Sequence, residues 1–372
     1  MLLDSINDEY YMRLALELAA KAKGQTGINP IVGCVVVKAG RIIGVGTHLK
    51  RGTGHAEVHA LAMAGSESAG ATVYVTLEPC SHHGLTPPCC ERIIQSGAAR
   101  VVIAMVDPNP KVSGRGVSRL REQGIEVEAG VLEAEARKLN EAFMKYIVTG
   151  MPFVTLKTAS TLDGKIAAKS GDSQWVTGPE ARELVHTMRH QHDGIMVGVS
   201  TVLADDPQLT TRLPVPALHP VRIIADSKLR MPLSSQMLHN REAETIILTT
   251  EQADPERIRA LEATGAKVLP CGTGEHVDLK AALKRLAELD IGSILLEGGG
   301  RLNGAMLEAQ LVDKMILFFA PKIIGGQTAP VSFSLDGWNR MADAVRLGGM
   351  QAEQVGEDLC ITGYPVYPAS SN

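Results

Sequence analysis

Three short stretches of the N-terminal half concentrate side chains that bind metals or move protons: His55-Ala56-Glu57, Pro79-Cys80 and Cys89-Cys90. One histidine and two cysteines form a three-ligand set for zinc, leaving the fourth position open to water. Zinc draws the pKa of such a water toward neutrality and yields a usable hydroxide. A carboxylate that is not a ligand then carries protons from the water to a leaving amine, and Glu57 is placed for that role. His-x-Glu with Pro-Cys is the pattern of zinc-dependent base deamination, although eight residues separate Cys80 from Cys89 where that pattern has two. The alternative is a closed site using His55, Cys80, Cys89 and Cys90, which leaves Glu57 without a role. His59 reads as an ordinary helix-face histidine. His82 and His83 sit in the loop over the metal, facing substrate or solvent.

A second chemical signal lies in the C-terminal half. Glu297-Gly298-Gly299-Gly300-Arg301-Leu302-Asn303 follows an expected strand and opens an expected helix. Such a turn makes a phosphate site, because amides point outward and glycine admits close approach. It has neither the last glycine of a Rossmann fingerprint, where Asn303 stands, nor the Lys-Ser/Thr of a Walker loop. A tight strand–helix connection would use the same glycines. Other polar residues recur at expected strand ends: Lys157, Thr161-Leu162-Asp163-Gly164, the run from Gly171 to Trp175, the loop from Ala204 to Arg212, and Asp226-Ser227. Arg189 stands on the helix after Trp175. Ligands of open α/β sheets bind beyond strand C-termini; each residue taken singly reads equally as a cap or a surface ion pair.

The elements that must position these groups alternate along the chain. In the first half, helices are expected over 7–23, 55–63, 89–95, 117–123 and 134–147, and strands over 31–37, 41–46, 72–77, 100–106 and 126–129. This is an α/β sandwich with helices covering a mixed sheet. Thr149-Gly150-Met151-Pro152 breaks the pattern, dividing the chain into domains 1–150 and 151–372. Strands follow over 153–159, 222–225, 245–248, 293–296 and 314–319, with a helix over 302–311. Thr177-Gly178-Pro179-Glu180 reads as a capping box opening a helix through His190. Asp254-Pro255 opens another helix, and the Pro-rich run 213–220 is a loop insertion.

Composition narrows the partners. The 372 residues carry 37 Lys plus Arg against 41 Asp plus Glu, a net charge of −4, and are only 3% aromatic. Neither the basic surplus of a phosphate-backbone binder nor the aromatics of a single-strand platform are present, so small polar metabolites are the expected partners. No stretch is apolar long enough to span a bilayer, and the N-terminus lacks a secretory pattern. Three of six cysteines crowd into 80–90, which fits a metal site in a reducing compartment, with the cytoplasm as the expected address.

Asn29-Pro30-x-Val32-Gly33, His55-Ala56-Glu57-Val58-His59 and Thr76-Leu77-Glu78-Pro79-Cys80 resemble motifs of the cytidine-deaminase-like superfamily. The longer loop Ser81-His82-His83-Gly84-x-Thr86-Pro87-Pro88-Cys89, with Asp107-Pro108-Asn109-Pro110 and Gly114-Arg115-Gly116, narrows the resemblance. Over nearly the whole chain it is similar to the bifunctional riboflavin-biosynthesis deaminase/reductases. That resemblance implies a cytidine-deaminase-like three-layer sandwich followed by a dihydrofolate-reductase-like domain. It implies zinc on His55, Cys80 and Cys89, with Asn29 and His48 lining the pyrimidine and ribose side of the pocket. The implied substrate is a diamino-ribosylamino-pyrimidinone 5′-phosphate that loses ammonia from its ring. Leu85 departs from relatives that often carry Lys or Arg there for the substrate phosphate, so either another cation such as Lys50 or Arg51 substitutes or the affinity is weaker.

For the second half the resemblance implies NADPH, held by Ala159, Trp175, Thr201, Asp205, Ser227 and the turn Gly299, Gly300, Arg301, Leu302, Asn303, Gly304 and Ala305. Ser173, Arg189, Leu209, Arg212 and Glu297 would hold the sugar phosphate, both arginines suiting a phosphate. Lys157 and Glu297 would assist opening of the ribose ring before hydride reaches the anomeric carbon. Thr161 keeps the hydroxyl of the serine common in relatives. A homodimer or homotetramer is also implied. Two other readings use the same residues: a nucleic-acid base deaminase, which needs a basic groove, and a zinc-stapled nucleotide sensor without turnover.

Overall fold

Apolar strands alternate with amphipathic helices on both sides of Met151, and the chain divides there into two units, Met1–Met151 and Pro152–Asn372. The computed structural model describes residues 5–82, 87–109 and 112–368. Leu85 and His83, singled out above, lie outside the described residues.

The first unit runs α1 (Asp8–Ala20), β1 (Gly33–Lys38), β2 (Arg41–Thr47), α2 (Ala56–Ala64), β3 (Thr72–Leu77), α3 (Cys89–Ser96), β4 (Arg100–Met105), α4 (Arg115–Glu122), β5 (Glu126–Ala129), α5 (Glu133–Leu139) and α6 (Glu141–Thr149). Its strands order as β2-β1-β3-β4-β5. β1 is antiparallel to both neighbours, whereas β3, β4 and β5 run parallel. Val35, Val73, Val75, Val101 and Ile103 fill the core with no exposed surface. α1 packs with α5, while α2, α3 and α4 pack in succession, giving helix, sheet and helix layers. Glycine at position 46 lets α2 lie directly on β2, since a Cβ there would stand 2.2 Å from the Ala56 carbonyl oxygen.

One expected helix is two. The apolar periodicity over 134–147 is interrupted at Asn140, which is fully withdrawn into the unit. Its Oδ1 accepts the Ile31 N–H at 2.7 Å and its amide donates to the Ile31 carbonyl at 2.9 Å. This long-range strand-like pairing fixes the start of α6, and Phe143 and Ile147 of that helix reach the site described below.

The second unit runs β6 (Phe153–Thr161), α7 (Pro179–His190), β7 (Gly194–Gly198), α8 (Val199–Asp205), β8 (Val221–Ala225), α9 (Gln236–His239), β9 (Thr245–Thr249), α10 (Pro255–Glu262), β10 (Lys267–Pro270), α11 (Leu279–Ala287), β11 (Ser293–Leu296), α12 (Gly300–Glu308), β12 (Lys314–Ala320), β13 (Arg346–Val355) and β14 (Asp358–Val366). The sheet orders as β10-β9-β8-β7-β11-β6-β12-β14-β13. From β10 to β12 every pairing is parallel, and β14 and β13 then run antiparallel. The C-terminal ends of β8, β7, β11 and β6 therefore lie along one edge.

Asp254 caps α10 as expected, accepting the Glu256 N–H at 2.9 Å. The capping box at Thr177 does not form. Gly178 is the N-cap residue of α7, and its N–H goes to Asp358 Oδ2 at 2.8 Å, so a distant buried aspartate replaces the local side chains. β7, a five-residue strand with glycine at both ends, and the β13–β14 hairpin are not among the expected strands.

Candidate active sites

In the first unit, three chain segments bring the metal donors together. His55 is the N-cap of α2, Cys80 follows β3, and Cys89 is the first residue of α3. His55 turns Nδ1 toward both sulphurs, 3.2 Å from Cys89 Sγ and 3.7 Å from Cys80 Sγ. All three ligand atoms lie within 4.8 Å of one another, as one ion requires. The helix N-terminus acts on Cys80: the Cys89 N–H donates to Cys80 Sγ at 3.3 Å. With hydrogen bonds from Cys89 and His55, the Cys80 thiol is brought down to about 4. The Cys89 thiol is pushed up, by its hydrogen bond to Cys80 and by burial. Cys90 stands apart, its thiol donating to the Pro79 carbonyl at 3.1 Å from full burial.

Glu57 is buried at 3% exposure, and its Oε2 has no hydrogen-bond partner. Burial raises its pKa, the setting of an acid that takes and gives a proton. A soft–borderline donor set of two sulphurs and one imidazole, beside an unsatisfied buried carboxylate oxygen, fits zinc with an activated water.

These groups open into a cavity of about 340 Å³, lined also by Asn29, His48, Arg51, His82, Asp107 and Asn109. His48 is buried and stacks edge-on against His55, ring centroids 5.2 Å apart. Its Nδ1 meets the Gly54 carbonyl at 3.3 Å, which can only accept, so the proton sits there. Nε2 then accepts from the Asn29 amide at 3.2 Å, which fixes both side chains at the cavity wall. His59 donates to the same Gly54 carbonyl from the exposed side of α2, as a helix-face histidine should.

Glu78 is the organising residue that the sequence reading quoted only as part of a motif. It is buried, and its carboxylate accepts N–H groups from Asp107, Gly114, Gly116 and Val117 at 2.8–3.2 Å. That grip ties Asp107 and the start of α4 to Glu78, and Asp107 and Asn109 line the cavity. An acid between a buried strand and Pro79-Cys80 is the available signal.

In the second unit the predicted residues gather along the strand-end edge. Lys157 and Ala159 lie on β6, Thr201 in the first turns of α8, Asp205 at its exposed end, and Ser227 after β8. Glu297 and Gly298 lead from β11 into α12. Thr201 Oγ1 is 3.7 Å from where a Gly299 Cβ would stand, so these two flank one point. A Cβ on Gly300 or Gly304 would meet the Val331 or Ser334 carbonyl oxygen at 2.4 or 2.3 Å; these glycines serve close packing. Asn303 is buried with its amide on the Ser332 carbonyl at 3.0 Å. Arg301 is exposed; Leu302 and Ala305 are half-buried. Ser227 Oγ accepts the Val277 N–H at 3.1 Å. Trp175 is exposed, with the Arg182 guanidinium over its ring at 4.6 Å, and Ser173 is half-buried two residues before it.

The charged centre of this edge is a triad. Arg189 Nε and Nη2 hold both oxygens of Glu297 at 2.7 and 3.1 Å, and Lys157 Nζ stands 3.8 Å from Glu297 Oε2. Burial opposes the charge on Glu297, but the fields of Arg189 and Lys157 override it and hold the carboxyl down at about 2. The same burial lowers the pKa of Lys157. Arg189 Nη1 also donates to the Thr210 carbonyl at 3.1 Å, so its fork is committed within the protein. Leu209 packs its side chain into the core with φ at +53°. Arg212 is exposed, with no carboxylate in ion-pairing reach among the described residues.

Comparison with known proteins follows this geometry. Residues 5–105 match the cytidine and deoxycytidylate deaminase zinc-binding region, and residues 152–361 match the RibD C-terminal domain. The riboflavin biosynthesis protein RibD of Bacillus amyloliquefaciens is 46% identical, over 96% of each chain. That of Escherichia coli is 43% identical over 96% of this chain and 99% of its own. Among solved structures, Acinetobacter baumannii RibD superposes with a TM-score of 0.87 at 39% identity, covering 96% of this chain and 99% of that one. A deaminase/reductase from Thermotoga maritima superposes at 0.85 with the same identity and coverage. The two units are thus a cytidine-deaminase-like domain and a dihydrofolate-reductase-like reductase domain. No helix among the described residues is long and apolar enough to cross a membrane.

Proposed function

This chain belongs to the RibD family, the bifunctional deaminase/reductases of riboflavin biosynthesis, and from that premise we propose how its residues divide the two reactions. Residues 1–150 remove ammonia from the ring of a diaminohydroxyphosphoribosylaminopyrimidine, and residues 151–372 reduce 5-amino-6-(5-phosphoribosylamino)uracil, the substrates named for the Thermotoga relative.

Zinc held by His55, Cys80 and Cys89 would supply an acidified water. Glu57 moves protons at its unpartnered Oε2 toward the leaving amine. Asn29 and His48, locked to each other, orient the pyrimidine and ribose. Arg51 lines the cavity and Lys50 does not, so Arg51 is the cation assigned to the substrate phosphate in place of Leu85. The observation that carries this half is the orphaned Glu57 oxygen sharing a cavity with a His–Cys–Cys donor set.

In the reductase half NADPH would supply the hydride, and the protein's task is placement. Ala159, Trp175, Thr201, Asp205, Ser227, Gly299, Arg301, Leu302 and Ala305 would hold the cofactor, with Gly300, Asn303 and Gly304 packing the turn that presents it. Ser173, the Leu209 backbone and Arg212 hold the sugar phosphate. Lys157, made a better acid by burial, gives its proton to the ribose ring oxygen as the ring opens. Glu297 keeps Lys157 in place and stays charged, and Arg189 holds Glu297. The same premise supports a cytoplasmic homodimer or homotetramer. Incubating the purified protein with the diaminopyrimidine, with and without NADPH, tests the assignment. Ammonia should appear in both cases and the ribityl product only with NADPH. Nucleotide binding without either product would favour the sensor reading.

A further inference from the structure

The Pro-rich segment between α8 and β8 has no regular structure from Asp206 to Pro220, and four of its positions are proline. Each proline removes one N–H from a possible hydrogen-bond ladder. Three of its amides are met by imidazole nitrogens instead. The Arg212 N–H donates to His186 Nδ1 at 3.2 Å, the Leu218 N–H to His190 Nδ1 at 3.0 Å, and the Thr211 N–H to His219 Nδ1 at 3.1 Å. His186 and His190 stand one turn apart on α7, and His219 lies within the segment, closing it on itself. Between them, Arg189 of the same helix holds the Thr210 carbonyl. The pins thus fall on Thr210, Thr211, Arg212 and Leu218, at and just beyond the residues assigned to the substrate.

An imidazole nitrogen that accepts an amide proton carries none itself, so each ring donates only from Nε2. At His186 that state is enforced: burial, then the nearby charges of Arg189 and Arg212, bring its pKa down to about 4. We propose that His186, His190 and His219 are positioning residues of the reductase site. They act as ring acceptors that hold residues 210–218 against α7, so that Arg212 stands where the substrate phosphate is received. The inference rests on the reading of Arg212 given above. Through it the histidines set the preference for a phosphorylated over a dephosphorylated ribosylamino substrate.

Steady-state reduction by the full-length protein tests this, with KM and kcat measured for the phosphorylated intermediate and its dephosphorylated form. His186→Ala should raise KM for the phosphorylated substrate about tenfold, the loss of one positioning hydrogen bond. It should leave kcat, the KM for NADPH and the KM for the dephosphorylated substrate within about threefold. His186→Asn, whose Oδ1 replaces Nδ1 as acceptor, should recover most of the loss. His190→Ala gives the same reading from the far end of the segment should His186→Ala not fold. An unchanged KM in His186→Ala and His190→Ala, or an asparagine variant no better than alanine, overturns the inference. Arg212→Ala separates the two levels. If it leaves the KM for the phosphorylated substrate unchanged, the reading of Arg212 fails; if it raises that KM while the histidine variants do not, only the positioning role fails.

Discussion

Two buried glutamates sit at the two sites, and their surroundings set them oppositely. Glu57 has no cation bonded to it, one oxygen has no partner, and burial raises its pKa. Glu297 is buried as well, but Arg189 grips both its oxygens and Lys157 stands beside it, and it is held at about 2. The first arrangement suits a group whose proton comes and goes; the second suits a fixed charge that places other groups. One residue type thus serves proton transfer in one unit and scaffolding in the other, and neighbours decide which.

Variants can break that contrast from either side. The largest effect is expected in the metal set. Cys89→Ser should abolish bound zinc, read by metal analysis, and with it deamination, while Cys90→Ser keeps both. Retained zinc and deamination without Cys89 would remove the basis of the first site.

Glu297→Gln should come next. It leaves Arg189 and Lys157 buried without their counter-charge, a loss of about 3–5 kcal/mol in unfolding free energy, together with loss of NADPH oxidation. The pH dependence has a definite sign. Glu297 is depressed from its ordinary 4.5 to about 2, so its contribution is complete above the unfolded value and disappears as pH falls toward about 2. Denaturant titrations between those limits should therefore show a steeper loss in the wild type than in Glu297→Gln. Arg51→Ala should have the smallest effect, raising KM for deamination about tenfold through one charge-assisted contact. No rise would leave the phosphate to another group.

The two sites also differed in how far the sequence disclosed them. The gathering of His55, Cys80 and Cys89 was legible because these donors fall in short motifs at helix and strand ends, and strand 72–77 leads into Cys80 as expected. The Lys157–Glu297–Arg189 triad was legible only as separate residues, since β6 and β11 meet through sheet pairing and α7 packs on that sheet, neither of which a local pattern encodes. The same reason explains the errors. Asn140 breaks a periodic helix for a contact with Ile31, 109 residues away, and Gly178 takes its cap from Asp358, 180 residues away. Glu78 is visible in a motif, but its four amide donors come from Asp107, Gly114 and the first turn of α4, whose approach no local pattern specifies.

Deamination through Glu57 is assigned to one unit and hydride placement to the other. Glu57→Gln tests this assignment most directly, assayed with the diaminopyrimidine for ammonia and separately with the deaminated intermediate for NADPH oxidation. Zinc should be retained, ammonia release reduced by about 10²–10⁴, and the intermediate reduced at the wild-type rate. Ammonia release at the wild-type rate, or loss of both activities in a folded, zinc-loaded protein, would contradict the assignment.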